Sequence, residues 1–164
     1  MSVQNSVWGP PMWRSLHTLA EKLGRQTKPL LEVDEVRCWV QMLRALGGAM
    51  PCALCRDHYQ AWRKRNPIED FMPLRKTALR EAARKWLWAL HEEVNRGRNI
   101  NGPPLDQMEA MYAGRGALEI RADLDIIARM AKEAMPLRVL SGEQYRAFRE
   151  KMVLLQRTVG CYSS

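Results

Sequence analysis

A chain of 164 residues, 46% hydrophobic and 27% charged, has room for one cored domain plus an appendage and is too short for two ordinary domains. The composition is that of a globular chain, and no apolar run approaches the roughly 18–20 residues that cross a bilayer. The 26 Lys and Arg against 18 Asp and Glu leave a charge of +8, a surplus suited to polyanions such as nucleic acid, an acidic membrane surface or nucleotide phosphates. Residues 56–85 alone hold nine basic and four acidic side chains, although a run of this kind is more often a solvated helix face than a binding surface. Residues 1–7 show no basic region followed by an apolar stretch. Neither a signal peptide nor an anchor is read there, and the expected location is the compartment of synthesis, the cytoplasm.

In chain order the punctuation predicts helices throughout. Pro10 and Pro11 suit a first helical turn, opening a helix that runs to about Leu23 before Gly24. A second helix is expected over 33–46, where Val36, Val40, Leu43 and Leu46 keep a helical period and Gly47-Gly48 end it. Pro51 opens a third that ends near Asn66-Pro67. Pro73 opens a fourth and longer one through Trp86 and His91 to Arg96, with Gly97 as its stop. A loop over 99–104 and a short helix over 105–112 follow, then a break at Gly114 to Gly116. Two further helices are expected over 118–135 and 141–159, the second starting with Ser141 and Gln144 in capping-box spacing. No alternating strand or internal repeat is seen. Short loops between helices predict an all-α antiparallel bundle, with residues 1–114 as its body and 115–164 as a C-terminal helical extension of unassigned role.

Four cysteines, unevenly spaced, do not make a secreted disulfide scaffold. Two of them, Cys52 and Cys55, form a CxxC, which points to redox chemistry or metal before structural stapling. With Pro51 marking a helix start, Cys52 is expected in the first turn, where free amides and the macrodipole stabilise a thiolate. His58 and Tyr59 lie three and four residues past Cys55 and share its face. Zinc is a weaker reading, because Cys52, Cys55 and His58 supply three ligands where a closed site takes four. A thioredoxin-type motif would follow a strand, and none is expected. A dithiol on a helical bundle therefore needs another electron acceptor.

Two more clusters suggest one. Trp8-Gly9 precede Trp13 and His17, which are four apart on a helix. Trp88 stands one turn before His91, with Val94 and Asn95 after it. Taken singly, each stripe reads as ordinary core. Taken together, six Trp against two Phe, with every His in one of these stripes, suit a planar heteroaromatic cofactor stacked between helices. Arg96 and Arg98, at the end of the His91 helix, are placed to meet its phosphates.

The patterns Trp-Gly-Pro-x-x-Trp-x-x-Leu-His at 8–17, Pro-Cys-x-x-Cys-x-x-His-Tyr at 51–59 and Trp-x-x-x-x-His-x-x-Val-Asn at 86–95 resemble the Erv/ALR family of FAD-linked sulfhydryl oxidases. The short chain and its Trp-Gly-Pro opening most resemble the forms encoded by large DNA viruses. The resemblance covers roughly the first 100 residues and implies a four-helix bundle with a short fifth helix around FAD. By that resemblance Cys55 is the flavin-proximal cysteine and Cys52 exchanges with incoming thiols. Trp13, His17, His58, Tyr59, His91 and Asn95 would line the cofactor, with Trp8, Gly9, Trp88 and Val94 from the same motifs around them. The activity implied is thiol oxidation: electrons pass from substrate through the dithiol to FAD and oxygen, yielding hydrogen peroxide. The implied partners are reduced protein thiols, oxygen and a second copy of the chain, met through the first two helices. No membrane or nucleic-acid partner is expected. For a viral form the cytoplasm would be the host's, or the location the virion.

Three departures stand out. Glu92 occupies the place where the family commonly has Asn. A second, structural cysteine pair is missing, and in place of a shuttle CxxC there is only Cys161. Cys38 is expected to be a buried, inert thiol. Cys161, expected in a frayed tail, is open to three readings: a shuttle to Cys52, a stable link, or a bystander. Nothing after Asn101 aligns, so Tyr112 is only a conjectural adenine contact. The rival readings are a basic helical module that binds nucleic acid and a catalytically silent scaffold.

Overall fold

The computed structural model describes residues 5–161, with side chains from Val7 onward. Residues 1–4, which belong to the segment where no signal was read, lie outside the described residues. Among the described residues there are seven α-helices and no strand: α1 Asn5–Lys22, α2 Pro29–Ala45, α3 Ala53–Arg65, α4 Lys76–Gly97, α5 Met108–Tyr112, α6 Ala117–Ala134 and α7 Gly142–Thr158. None is long and apolar enough to cross a membrane.

Several starts differ from expectation. The first helix begins at Asn5 rather than Pro10, with both prolines inside it. Trp8 and Pro11 are buried, so packing holds the turn before the prolines helical despite the two missing N–H donors. The second begins at Pro29, with proline in the first turn, where its lost donor had no partner in any case. Pro73 does not open α4. It belongs to the turn after a 3₁₀ segment, Ile68–Phe71, and the helix starts at Lys76. Lys76 has φ +54°, unusual for a non-glycine residue. Gly24 (φ +78°) lies against it so closely that a Cβ there would collide with the Lys76 carbonyl oxygen. The α1–α2 link therefore requires glycine at this point. At the C-terminal side, Ser141 caps α7 by accepting the Gln144 N–H at 3.3 Å, which is one half of the capping box.

α1 packs against both α4 and α6, and α2 against α7. One apolar cluster runs from Leu16, Trp39 and Leu43 through Leu79 and Leu87 to Ile127, Phe148 and Leu155. Burying each such side chain contributes roughly 1.5–3 kcal/mol before entropy is counted. Two buried carboxylates fasten the helices. Glu21 on α1 accepts Arg84 of α4 through two bonds of 2.7 Å. Asp123 on α6 accepts Arg14 of α1 at 3.0 Å and Arg115 at 2.8 Å, and Arg115 also reaches the Thr18 hydroxyl. Residues 115–161 thus share the core of the residues before them and are ion-paired to α1.

Candidate functional site

The site is built on the start of α3. The chain enters it through an extended Met50 and a bend at Pro51, and Cys52 is the N-cap (φ −156°, ψ 112°), one residue before the first turn in which it was expected. Its sulfur accepts the Cys55 N–H at 3.2 Å, the place usually held by a Ser or Asp oxygen. Cys52 and Cys55 are joined as a disulfide, with Cα atoms 5.2 Å apart. A thiolate released at Cys52 meets both this amide and the positive end of the helix, which favour the anion. Among the described residues no group of three His, Cys, Asp or Glu could hold a metal ion.

Beside the disulfide lies a cavity of about 500 Å³, within the range of roughly 300–1,000 Å³ that small-molecule sites occupy. Of the residues singled out in the sequence, Trp8, Gly9, Trp13, Cys52, Cys55, His58, Tyr59, Val94 and Arg98 line it. Residues that the sequence reading did not single out line it too, among them Met12, Met50, Leu54, Arg65 and Glu93. Leu54 was in view as one of the two residues between the cysteines; Arg65 and Glu93 carried no signal. Arg65 is held at the cavity wall by Glu93, at 3.0 and 3.2 Å.

His17 and His91 do not line the cavity but are joined to it through Trp13. The Trp13 and His91 rings are stacked with centroids 4.0 Å apart, and His17 stacks on Tyr112 at 4.8 Å. The His17 ring is buried, and its Nε2 has no hydrogen-bond partner. Burial, and secondarily the nearby His91, lower its pKa to about 3. Burial lowers that of His91 to about 4. Both rings are therefore neutral near pH 7 and offer both a donor and an acceptor nitrogen. Tyr59 spends its hydroxyl on the Leu43 carbonyl, and burial pushes its pKa up, so its ring rather than its oxygen faces the cavity.

Besides His17 and His91, three more predicted residues stand apart from the cavity lining. The Trp88 indole N–H donates to the Pro103 carbonyl at 2.9 Å and fastens the loop after α4. Asn95 is buried under that loop, and its carbonyl accepts the Ile100 N–H. Arg96 is exposed. Gly102 passes directly over Glu92 and Asn95, since a Cβ there would come within 2.6 Å of Glu92 Oε1 and 2.7 Å of Asn95 Nδ2. The carboxylate at position 92 therefore sits under the loop beside the Asn95 amide.

The two remaining cysteines are unpaired and buried. Cys38 Sγ lies 3.6 Å from the Thr158 hydroxyl. Cys161, expected in a frayed tail, is instead 5% exposed, with its N–H bonded to the Gln156 carbonyl. Burial raises the pKa of both thiols.

An apolar cavity against a disulfide, flat rings close by, and a buried imidazole nitrogen lacking a partner together fit a planar heteroaromatic group that brings hydrogen-bonding atoms of its own. The profile of the Erv1 / Alr family matches residues 10–110. Relatives include FAD-linked sulfhydryl oxidases from two isolates of African swine fever virus. One is 26% and the other 29% identical over 97 residues, in each case 56% of this chain and 68% of the relative. No solved structure matches the chain.

Proposed function

The chain belongs to the Erv1 / Alr family, and from that premise we propose that it is an FAD-dependent thiol oxidase that forms disulfides in protein substrates. The observation that carries this reading is the Cys52–Cys55 disulfide at a helix N-cap, opening onto a cavity walled by Trp8, Trp13 and Tyr59.

A substrate thiolate attacks Cys52 Sγ. The Cys52–Cys55 bond breaks, a mixed disulfide forms, and Cys55 leaves as a thiolate in the first turn of α3. A second substrate thiolate then attacks the substrate sulfur of that mixed disulfide. Cys52 leaves as a thiolate, received by the Cys55 N–H, and the substrate departs oxidised by two electrons. FAD, when bound, would supply the acceptor for the dithiol's electron pair and the route to oxygen and hydrogen peroxide. Trp8, Gly9, Trp13, Tyr59 and Val94 would hold the flat part of the cofactor, with His58 at the exposed edge. His17 and His91 would act on it through the Trp13 ring they pack against, and Arg98 would meet its phosphates. Asn95, Trp88 and Arg96 act through the loop that closes over the end of α4.

A homodimer through the first two helices would have to use the surface that α6 and α7 leave uncovered. Val7 on α1, 46% exposed, and Leu30 and Leu31 on α2, 80% and 40% exposed, are the large apolar residues available for it among the described residues. The viral relatives favour the host cytoplasm or the virion as the setting. The test of the activity is direct: the purified protein should carry flavin absorption bands and consume oxygen with dithiothreitol. A colourless protein that binds nucleic acid with steep salt dependence would overturn the reading.

A further inference from the structure

Pro51 has no N–H with which to fix the bend that leads into Cys52, so the chain on either side of it depends on other donors. Arg56, in the first turn of α3, supplies them to both sides. Its amide donates to the Cys52 carbonyl at 3.0 Å, and its Nη1 donates to the Met50 carbonyl at 2.6 Å. The same Nη1 donates to the Val139 carbonyl at 3.0 Å, in the loop between α6 and α7. One guanidinium nitrogen therefore ties the residue before the bend to the C-terminal extension.

A second contact joins the same two parts of the chain. The 3₁₀ turn Leu46–Ala49, which runs directly into Met50, packs against α7. Gly48 lies so near the start of that helix that a Cβ there would come within 2.7 Å of the Gln144 carbonyl oxygen and 2.9 Å of the Gln144 Cβ. The segment entering the reactive cysteine is thus braced by the extension twice, at Gln144 directly and at Val139 through Arg56. Neither Val139 nor Gln144 lies within the matched residues 10–110.

What the brace fixes is the cap. Cys52 receives the Cys55 N–H with its own backbone extended, at φ −156° and ψ 112°. Rotation at Met50 and Pro51 would carry its sulfur off that amide, and a thiolate there would lose both the bond and the positive end of the helix. The charged or titratable side chains that line the cavity with it are Cys55, His58, Tyr59, Arg65, Glu93 and Arg98, and α1 contributes none.

We propose that Arg56 is a positioning residue for the exchange: by fastening the Met50 carbonyl to the α6–α7 loop it holds Cys52 in the N-cap conformation, so that Cys52 leaves the mixed disulfide as a stabilised thiolate. The bonds formed and broken, and the two electrons that the substrate loses, stay those of the exchange already described. The extension thereby gains a share in the chemistry of a cysteine that it does not touch. This inference rests on the thiol-oxidase reading.

The test reads Cys52 itself, in the flavin-loaded full chain carrying Cys55→Ser so that the pair cannot close. Iodoacetamide labelling of Cys52, followed by peptide mass, gives its rate at each pH. Arg56→Met keeps the stem and removes both side-chain bonds. At pH 7 it should slow labelling about fivefold, while at pH 9.5, where the thiol is ionised in either protein, the two rates should agree. Arg56→Lys, which still donates to a carbonyl, should recover most of the rate at pH 7. Gly48→Ala pushes on the brace from the α7 side with Arg56 in place and should slow labelling in the same pH-dependent way. It decides the matter if circular dichroism shows Arg56→Met to have lost helix. An unchanged rate at pH 7 in a folded variant, or a loss that persists at pH 9.5, overturns the positioning role while the oxidase reading stands. No oxygen consumption by the wild type with dithiothreitol overturns both.

Discussion

The Trp13 indole lies flat on the His91 imidazole, ring centroids 4.0 Å apart and planes 6° from parallel, so α1 and α4 meet through a stacked pair next to the cavity. The stack contributes about 0.5–1.5 kcal/mol beyond its buried area, too little to hold the bundle and enough to set the position of a ring. His91→Ala and His17→Ala should therefore reduce the flavin retained on purification far more than they reduce helix content. The flavin-to-protein absorbance ratio and far-UV circular dichroism of the same samples measure the two effects. Equal loss of both would mark these histidines as core.

Cys52→Ser and Cys55→Ser should each abolish oxygen consumption with dithiothreitol and leave the flavin spectrum in place. Serine at 52 can still accept the Cys55 N–H, whereas alanine cannot. Cys52→Ala should accordingly be less stable than Cys52→Ser by about 1 kcal/mol in urea unfolding. Equal stability of the two would mean that the sulfur does not cap α3.

The buried imidazoles make stability depend on acid. Above the ordinary histidine value of 6.5 both the folded and the unfolded chain hold neutral rings and there is no penalty. Below it the unfolded chain binds protons that His17 (about 3) and His91 (about 4) refuse in the folded state. Unfolding free energy should therefore fall as pH drops from 6.5 towards 4, and His17→Phe should flatten that fall. Denaturant midpoints at pH 7, 6, 5 and 4.5 for both proteins provide the comparison. Parallel curves would show that His17 protonates freely.

Asp123 takes two arginines with its side chain only 4% exposed. Asp123→Ala leaves Arg14 and Arg115 partly buried without their counter-charge and should cost about 3–5 kcal/mol of unfolding free energy. The exposed Arg44–Glu69 pair gives the contrast: Glu69→Ala should leave the denaturant midpoint nearly unchanged. A small effect at Asp123 would detach the extension from the stability of the bundle.

Most of the fold was legible in helical periods and in Gly and Pro punctuation, and the misreadings have local causes. Pro10 looked like a helix start because proline lacks a donor, yet the buried Trp8 keeps the preceding turn helical, and such burial is a tertiary fact. Pro51 did mark α3, but the first position after it is a cap and not a turn, which moved Cys52 by one place. In the His91 stripe Trp88 was counted towards the cofactor. It is Trp86 that packs inward against Tyr59, Trp62 and Phe71, while Trp88 ties down a loop. Arg65 and Glu93 join the cavity only because the end of α3 comes within ion-pair reach of α4 there, and no spacing within either helix announces it. The extension was read as an appendage, since a sequence break at Gly114 does not reveal that Asp123 reaches back to Arg14.

The burial of Cys38 and Cys161 also sets how much charge the polypeptide can store. Of four cysteine sulfurs only the Cys52–Cys55 pair is both joined and open to a cavity, so in its native state the protein part holds one two-electron cell and no reserve. Successive substrates must wait for that cell to discharge. Turnover on any substrate then has the ceiling set by its emptying, and a reductive titration of the folded chain should close after a single dithiol equivalent beyond the cofactor's own.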